Sequence, residues 1–467
     1  MMFSSSAFML GFFPIVFLVF IYLNKIGSKS LVYFWIIVSS LFFYSWWKPE
    51  FLLLLLLSVV CNYLLSRVIQ ASINKGLYLF LGIVFNLLFL FSFKYFDFAV
   101  ININNIFDTE FSLLNWALPL AISFYTFQQI AYLADTYKGV VSDDGFKEYL
   151  LFVTFFPQLI IGPIVHHSEM MPQFKAKRFG DVSYNNFVEG FMLFYAGLLK
   201  KVVIADGAAQ YVNPVYANIS NGIPVDSYSV FFAILGFSIQ IYFDFSGYTD
   251  MARGIAKFFG IDLPINFDAP YKSRNLQDFW RSWHMTLSRW LRDYLYVPLG
   301  GNKKGNLRAV MNAIIVFLLG GLWHGAAWTF VFWGGLQGIG LVVVHILHQL
   351  NVKLPRLIAI SICFIYISLS WVFFRASDFH SAVVMLQTLI EFKSGVFSIQ
   401  TSELITVFII PLVIIFLSPT STVLITKMTV YITRLPKVAV VFFMVMLWFL
   451  SPALQLESTA EFIYFDF

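Results

Sequence analysis

Residues 310–333 read Val-Met-Asn-Ala-Ile-Ile-Val-Phe-Leu-Leu-Gly-Gly-Leu-Trp-His-Gly-Ala-Ala-Trp-Thr-Phe-Val-Phe-Trp, without one charged side chain from end to end. An apolar run of this length can cross the roughly 30 Å hydrocarbon layer of a bilayer as a helix, so it predicts a membrane span. His324 sits inside that run. A histidine placed there costs free energy unless it has a partner or a task.

Working outward, the same composition extends over the whole chain. Of 467 residues, 59% are hydrophobic, 19% aromatic and 12% charged, with a mean hydropathy of +0.78. Soluble domains carry about a quarter charged residues, so this chain lacks the polar surface needed to live in water. Apolar runs recur near 8–23, 31–47, 51–66, 77–93, 114–134, 149–165, 187–204, 229–246, 310–333, 335–350, 357–374, 405–418 and 438–452. The fold expected is an all-α polytopic integral membrane protein with about 11–13 transmembrane helices, plus re-entrant and interfacial helices. Pro119 and Pro411 interrupt two of these runs, and either could be re-entrant where protein or water covers its backbone. The first run has no basic flank before Phe8 and no small-residue cleavage site before Lys25, which argues against a cleaved signal peptide. Cys61 and Cys363 both fall within apolar runs and imply no disulfide framework.

Basic residues set the expected orientation. Lys25 and Lys29 follow the first run, and Arg67 and Lys75 follow the third, placing those loops in the cytoplasm and the N-terminus outside. Residues 250–310 hold ten of the chain's 30 Lys and Arg against five Asp, so this segment is expected to be cytoplasmic. Residues 207–228 have no Lys or Arg, and the tail 453–467 carries Glu457, Glu461 and Asp466 alone; both read as external. The net charge of +5 is accounted for by these loops and does not point to nucleic acid. The chain reads as one membrane-embedded domain over 1–467. It comprises N-terminal helices 1–249, a cytoplasmic segment 250–310, C-terminal helices 311–452 and an external tail 453–467.

Within the cytoplasmic segment, Phe279, Trp280, Trp283, Leu287, Trp290, Leu291, Tyr294 and Leu295 recur at helical spacing, with Arg281, Arg289, Arg292 and Asp293 on other faces. This predicts an amphipathic helix over 279–296 lying at the lipid–water interface, stopped by Pro298-Leu-Gly-Gly. The preceding Asp262-Leu-Pro-Ile-Asn-Phe-Asp-Ala-Pro-Tyr should be an extended, docked loop.

Two histidines fall in these regions, His284 and His324. Imidazole suits general-base work because its ordinary pKa lies near neutrality and desolvation favours its neutral form. Taken from residues alone, His324 reads equally as a base or as a hydrogen-bonded structural group between packed helices. His284 reads as a functional group or as an interfacial side chain reaching headgroups.

Four blocks in order carry a resemblance: Tyr242-Phe-Asp-Phe-Ser-Gly-Tyr-Thr-Asp-Met-Ala, Leu263-Pro-Ile-Asn-Phe-Asp-Ala-Pro-Tyr, Asp278-Phe-Trp-Arg-Ser-Trp-His-Met-Thr-Leu-Ser-Arg-Trp-Leu-Arg-Asp-Tyr-Leu-Tyr, and Gly321-Leu-Trp-His-Gly. Together they resemble the membrane-bound O-acyltransferase (MBOAT) family, and most of all its bacterial alginate and peptidoglycan O-acetyltransferase branch. Phe155-Phe-Pro-Gln-Leu-Ile-Ile-Gly-Pro-Ile and the terminal Phe462-Ile-Tyr-Phe-Asp-Phe are similar to that branch as well. The resemblance runs over essentially the whole chain. It implies an MBOAT-like fold in which two funnels meet on a catalytic histidine, here His324, with His284 as a second functional residue.

The implied reaction moves an acetyl group from cytoplasmic acetyl-CoA to an extracytoplasmic polysaccharide, alginate or peptidoglycan, in the bacterial inner membrane. The resemblance also implies a periplasmic esterase-like acetyltransferase as partner. This fits a chain with no Gly-x-Ser-x-Gly motif and no sizeable external domain. Tyr464, the only hydroxyl of the terminal hexapeptide, would relay the acyl group outward, and the hexapeptide is apolar enough to be expected docked in a groove. Arg281, Arg289, Arg292 and Trp283 are the candidate acyl-donor site, the arginines attracting phosphate. Anchoring to anionic membrane lipid is their plainer role. No bound cofactor and no metal is expected. His166 and His167 are adjacent and lack zinc-ligand spacing, so a loop-lining role is preferred; His345, His348 and His380 read as surface or interfacial. Asp293 reads as an ion-pair partner of Arg292, and Asp244 and Asp250 as anchors for the Pro-rich loop at a span end. The alternative class is a polytopic transporter or proton-coupled carrier, which would be expected to show inverted halves.

Overall fold

The computed structural model describes residues 1–141, 144–176, 179, 182–393, 403–454 and 463. Every regular element among the described residues is helical. Eight helices are long and apolar enough to cross a membrane: Ala7–Ile26, Glu50–Ala71, Lys75–Phe107, Ser227–Phe258, Asn306–His324, Trp328–Gln349, Arg356–Arg375 and Lys437–Leu454. A bent pair, Leu404–Leu417 and Ser421–Ile432, makes a ninth if it counts as one span. Its 82° turn falls at 418–420, beside Pro419, whereas Pro411 is accommodated in the first turn of the helix Ile410–Leu417 and, contrary to expectation, does not interrupt the run 405–418.

The count is lower than the 11–13 apolar runs suggest, for reasons visible in the backbone. The run 114–134 becomes helical only from Ile122, after Pro119, in the almost wholly buried Ile122–Tyr137. The run 149–165 breaks at Phe155 into Phe146–Thr154 and the four-residue Phe156–Leu159. The run 187–204 passes from Tyr184–Leu199 into the π-helical turn Lys200–Ala205. Ile122–Tyr137 and Phe156–Leu159 fill protein interior, whereas Leu114, Trp116, Leu118, Leu199 and Val203 stay exposed.

The opening run is itself divided. Asn306–His324 ends at His324, Gly325 is extended at φ −158° and ψ 148°, and a new helix starts at Trp328. The expected boundary between 333 and 335 therefore lies at 325–327, which puts His324 at a helix C-terminus instead of mid-span.

Two compact units are present, each assembled from three stretches. The first comprises Met1–Leu198, Tyr248–Pro264 and Ile425–Gln455; the second comprises Leu199–Gly247, Ile265–Leu424 and Leu456–Phe467. In the first unit, Phe8, Phe12, Phe43 and Phe156 pack ring against ring, and the Trp448 indole N–H donates to the Met9 carbonyl at 2.8 Å. Asn62 and Asn86 exchange amide hydrogen bonds at 3.1 and 2.6 Å. Such reciprocal pairs hold helices together where no water can satisfy the amides.

Polar loop residues in the first unit correct one expectation and sharpen another. His166 caps the helix His167–Lys175 in a reciprocal arrangement with Glu169. His167 is buried against Asp144, whose carboxylate also pairs with Lys175. Burial alone would raise the Asp144 carboxyl, but the His167 hydrogen bond and then Lys175 outweigh it and hold it below the usual range. These are loop-tying groups rather than a simple lining. Asp250 pairs with Arg253 at 3.4 Å, within a helix that continues to Phe258, so no span ends near Asp250.

The second unit is built around the antiparallel neighbours Asn306–His324 and Trp328–Gln349. A Cβ on Gly321 would lie 2.2 Å from the Phe330 carbonyl oxygen, and one on Gly334 would lie 2.1 Å from that of Phe317. Only glycine permits this backbone-to-backbone approach, the small-residue packing typical of membrane helices.

Candidate active site

The predicted single helix over 279–296 is not continuous. The chain forms Leu276–Ser282, leaves helical geometry at Trp283 and His284, resumes as Met285–Leu291 and finishes in the π-helical turn Arg292–Tyr296. His284 adopts φ 42° and ψ 52°, a left-handed conformation rare for a residue with a Cβ. Strain of this kind persists only where the surroundings over-determine it.

Those surroundings are the Pro-rich loop. Asn266 Oδ1 accepts from the Thr286 backbone N–H at 3.2 Å and the Thr286 hydroxyl at 2.9 Å, and lies 3.2 Å from His284 Nδ1. The Met285 N–H donates to the Asn266 carbonyl at 3.0 Å, and the Asp268 N–H to the Ser282 carbonyl at 2.9 Å. A backbone N–H can only donate, so its bond fixes this Asn266 atom as the oxygen. His284 Nδ1 must then carry the proton, and Nε2 presents a lone pair. That Nε2 atom is buried and makes no hydrogen bond among the described residues.

His284 does not reach out to solvent or headgroups: it has no solvent exposure, and Phe245 packs edge-on at 4.7 Å between ring centroids. Burial pushes its imidazole down to about 3, so it stays neutral at physiological pH. Asn266 is the candidate site residue that sequence reasoning missed. The loop was read as docked, but nothing in the sequence says which of its side chains reaches the histidine.

His324 is held by aromatic rings. Trp323, Trp333 and Phe374 surround it at centroid distances of 5.0, 5.3 and 5.2 Å. Trp333 stacks on Trp371 at 5.3 Å, and Trp371 contacts Trp283 at 5.2 Å. Trp323 touches both histidines, lying 6.4 Å from the His284 ring. The two candidate residues are thus brought to either side of one indole.

The acyl-donor candidates divide. Arg281 and Arg292 line a cavity of about 460 Å³ together with Gln277, Trp280, Tyr296 and His348. Arg289 and Trp283 do not line it, and Trp283 is buried in the aromatic cluster, which corrects its assignment to a donor-contacting surface. The cavity has a route of contacts inward: Trp280 packs on Trp333 at 6.0 Å, and Trp333 lies against His324. Arg292 is paired with Asp293 at 2.7 Å as expected, and Arg281 has Asp278 at 3.7 Å. Both guanidinium groups remain largely solvent-exposed, so these pairs contribute little to stability and could exchange for a phosphate.

Tyr464 lies outside the described residues. Its neighbour Ile463 is buried, and the Ile463 N–H donates to Asp244 at 3.0 Å. Asp244 lies well inside the helix Ser227–Phe258 and pairs with Lys201 at 2.9 Å. It therefore holds Ile463, not the Pro-rich loop. Cys61 and Cys363 are free thiols. No group of three metal-ligating side chains occurs among the described residues.

Two buried imidazoles facing a shared indole, one of them joined through packed tryptophan rings to a basic cavity that does not itself reach it, are groups suited to acyl transfer to an alcohol. The sequence profile of the MBOAT, membrane-bound O-acyltransferase family matches residues 41–351. The chain belongs to this family. A peptidoglycan O-acetyltransferase of Helicobacter pylori is 42% identical, covering 84% of this chain and 80% of the relative. A probable alginate O-acetylase of Azotobacter vinelandii is 35% identical, covering 88% and 84%. A teichoic acid D-alanyltransferase of Bacillus subtilis is 28% identical, covering 56% and 69%. The protein is accordingly a multi-pass membrane acyltransferase, and the carrier alternative finds no support among these relatives.

Proposed function

We propose that this MBOAT protein takes an acetyl group from acetyl-CoA at the cytoplasmic face of a bacterial inner membrane and delivers it to hydroxyls of an exported polysaccharide. The relatives named for peptidoglycan and alginate support a glycan acceptor. The observation that carries the reading is the chain of ring contacts from the Arg281–Arg292 cavity through Trp280 and Trp333 to His324.

In this reading the cavity binds the phosphate-bearing donor and aims its thioester at the helix break. An acceptor hydroxyl oxygen attacks the thioester carbonyl carbon while His324 takes the hydroxyl proton. As the carbonyl re-forms, the C–O ester bond is kept and the C–S bond breaks. The departing thiolate recovers a proton, restoring the imidazole. General-base assistance of this kind contributes about 10²- to 10⁴-fold. His284 offers a lone pair at Nε2 and no proton, so it would position a donor N–H or O–H rather than bind the carbonyl oxygen. Tyr464 would serve as the intermediary hydroxyl between the site and a periplasmic esterase-like acetyltransferase, which then modifies the sugar.

Two measurements test this. Labelled acetyl-CoA supplied to inside-out membrane vesicles should label envelope polysaccharide in the wild type and not in a deletion strain; equal labelling in both rejects the reading. Mass analysis of the envelope sugars in that strain names the acceptor by which O-acetyl group disappears. A Tyr464→Phe protein that kept full polymer acetylation would remove the relay step alone.

A further inference from the structure

The tryptophans around the two histidines differ in what their indole N–H groups meet. Trp371 donates to the Tyr271 hydroxyl at 3.3 Å, as a buried indole usually finds a partner. Trp280 and Trp333 are also buried, yet neither Nε1 has an acceptor among the described residues. Trp280 packs on Phe279 and Phe317 at 5.6 and 4.9 Å, and Trp333 on Phe374 at 5.0 Å, rings that offer no oxygen or nitrogen. Gln337, one turn beyond Trp333 on the same helix, gives its amide N–H to Ser370 at 2.9 Å and leaves its own oxygen unmet, so it does not satisfy Trp333. An indole N–H can only donate, and burying one unmet is costly enough to call for a reason. These two donors stand in series. Trp280 lines the Arg281–Arg292 cavity, which Trp333 and His324 do not line. Trp333 lies 6.0 Å from Trp280 on one side and 5.3 Å from His324 on the other.

We propose that these two N–H groups bind the carbonyl oxygens of a thioester substrate: Trp333 the oxygen of the acyl group, and Trp280 an amide oxygen of the arm that carries it. The assignment rests on the acetyl-transfer reading above. It fills a role that His284 cannot take, since its Nε2 offers no proton. The arm must pass the Trp280 ring to bring its thioester to His324, and the carbonyl oxygens it brings accept hydrogen bonds without donating any. When the hydroxyl oxygen bonds to the carbonyl carbon, the C=O electron pair moves onto the carbonyl oxygen. The Trp333 N–H holds that charge until the C=O re-forms and the C–S bond breaks. A fixed donor in a buried site is worth most at that moment. Trp333 is thereby a catalytic residue and Trp280 a binding one.

The full-length protein in nanodiscs, supplied with acetyl-CoA and an acceptor alcohol, tests both roles. Trp333→Phe should lower kcat by about 10²- to 10³-fold with little change in KM, the usual result of removing one such donor. Trp280→Phe should instead raise the KM for acetyl-CoA by about threefold to tenfold and spare kcat. Because phenylalanine is also smaller, 3-benzothienylalanine at position 333 keeps the bicyclic shape and lacks only the N–H. It should reproduce the kcat loss and melt no lower than wild type, since no structural hydrogen bond is removed. A second measurement follows the indole N–H signals of protein labelled with 15N-tryptophan, assigned with the two Phe variants. The ketone analogue of acetyl-CoA with a methylene in place of sulfur should shift both signals, and S-ethyl-CoA, which lacks the acyl oxygen, only that of Trp280. A kcat within about threefold of wild type in either position-333 variant, a lower melting temperature with benzothienylalanine, or a Trp333 signal that answers both analogues alike would overturn the assignment of Trp333. An unchanged KM in Trp280→Phe would overturn that of Trp280. If wild type neither consumes acetyl-CoA nor binds S-ethyl-CoA, the acetyl-transfer reading is overturned and both assignments with it; turnover by wild type with no loss in the variants overturns the assignments alone.

Discussion

At the scale of single residues, the site depends on a tautomer. Asn266 Oδ1 gathers donors from Thr286 and from His284 Nδ1, which leaves the His284 Nε2 lone pair facing inward. Replacing Asn266 by Asp keeps the shape and adds a negative charge, which favours a protonated imidazole. The Asn266→Asp enzyme should lose about tenfold or more in turnover at pH 7, measured as acetyl-CoA consumption. Unchanged turnover would show that the tautomer does not matter.

The same histidine makes a pH prediction. Its folded pKa, about 3, lies below its unfolded value of 6.5. Between those values the unfolded chain binds more protons, so stability is complete above about pH 6.5 and declines as the pH falls toward 3, by up to about 1.4 kcal/mol per pH unit from this group. Thermal unfolding at pH 7 and pH 5 should show a smaller acid loss in His284→Gln than in wild type. An identical loss would place the acid sensitivity elsewhere.

At the scale of elements, the helix break after His324 is the central feature, and it is held by glycine. Gly321→Ala would press a Cβ into the Phe330 carbonyl, so the two helices must separate. Overpacking of this kind costs about 1–3 kcal/mol, and the variant should melt at lower temperature and lose activity with the His324 chemistry intact. A Gly321→Ala protein of unchanged stability would mean that the helices are less closely packed than described.

Elements also show what the sequence could and could not display. Hydropathy located the membrane helices well, because Phe51 to Ser66 or Leu357 to Phe374 must be apolar wherever they face lipid. It could not show where a helix starts late, breaks or changes pitch, so 114–134, 149–165 and 187–204 looked like regular spans. The break at 325–327 was hidden because Gly-Ala-Ala is as apolar as its neighbours. Both histidines were legible as outliers in their surroundings, and the resemblance made them candidates. Asn266 was not, since its partner lies 18 residues away across a turn that periodicity cannot foresee. Asp244 was misplaced for a similar reason: its partners Lys201 and Ile463 are remote in sequence.

At the scale of the whole molecule, the proposed orientation rests on charge. The ten basic residues of 250–310 favour a cytoplasmic placement of this segment by the positive-inside bias. A single cysteine introduced at Lys303, with Cys61 and Cys363 replaced by Ser, should react with an impermeant maleimide in inside-out vesicles and not in intact cells. The reverse pattern would put the Arg281–Arg292 cavity on the outer face and exclude cytoplasmic acetyl-CoA as donor. The central claim is that the His324 imidazole takes the proton of the attacking hydroxyl. Purified wild-type and His324→Ala proteins, matched for thermal stability, should be compared for release of free CoA from acetyl-CoA in the presence of an acceptor alcohol. The account predicts a loss of about 10²- to 10⁴-fold in the variant; turnover within a few-fold of wild type would contradict it.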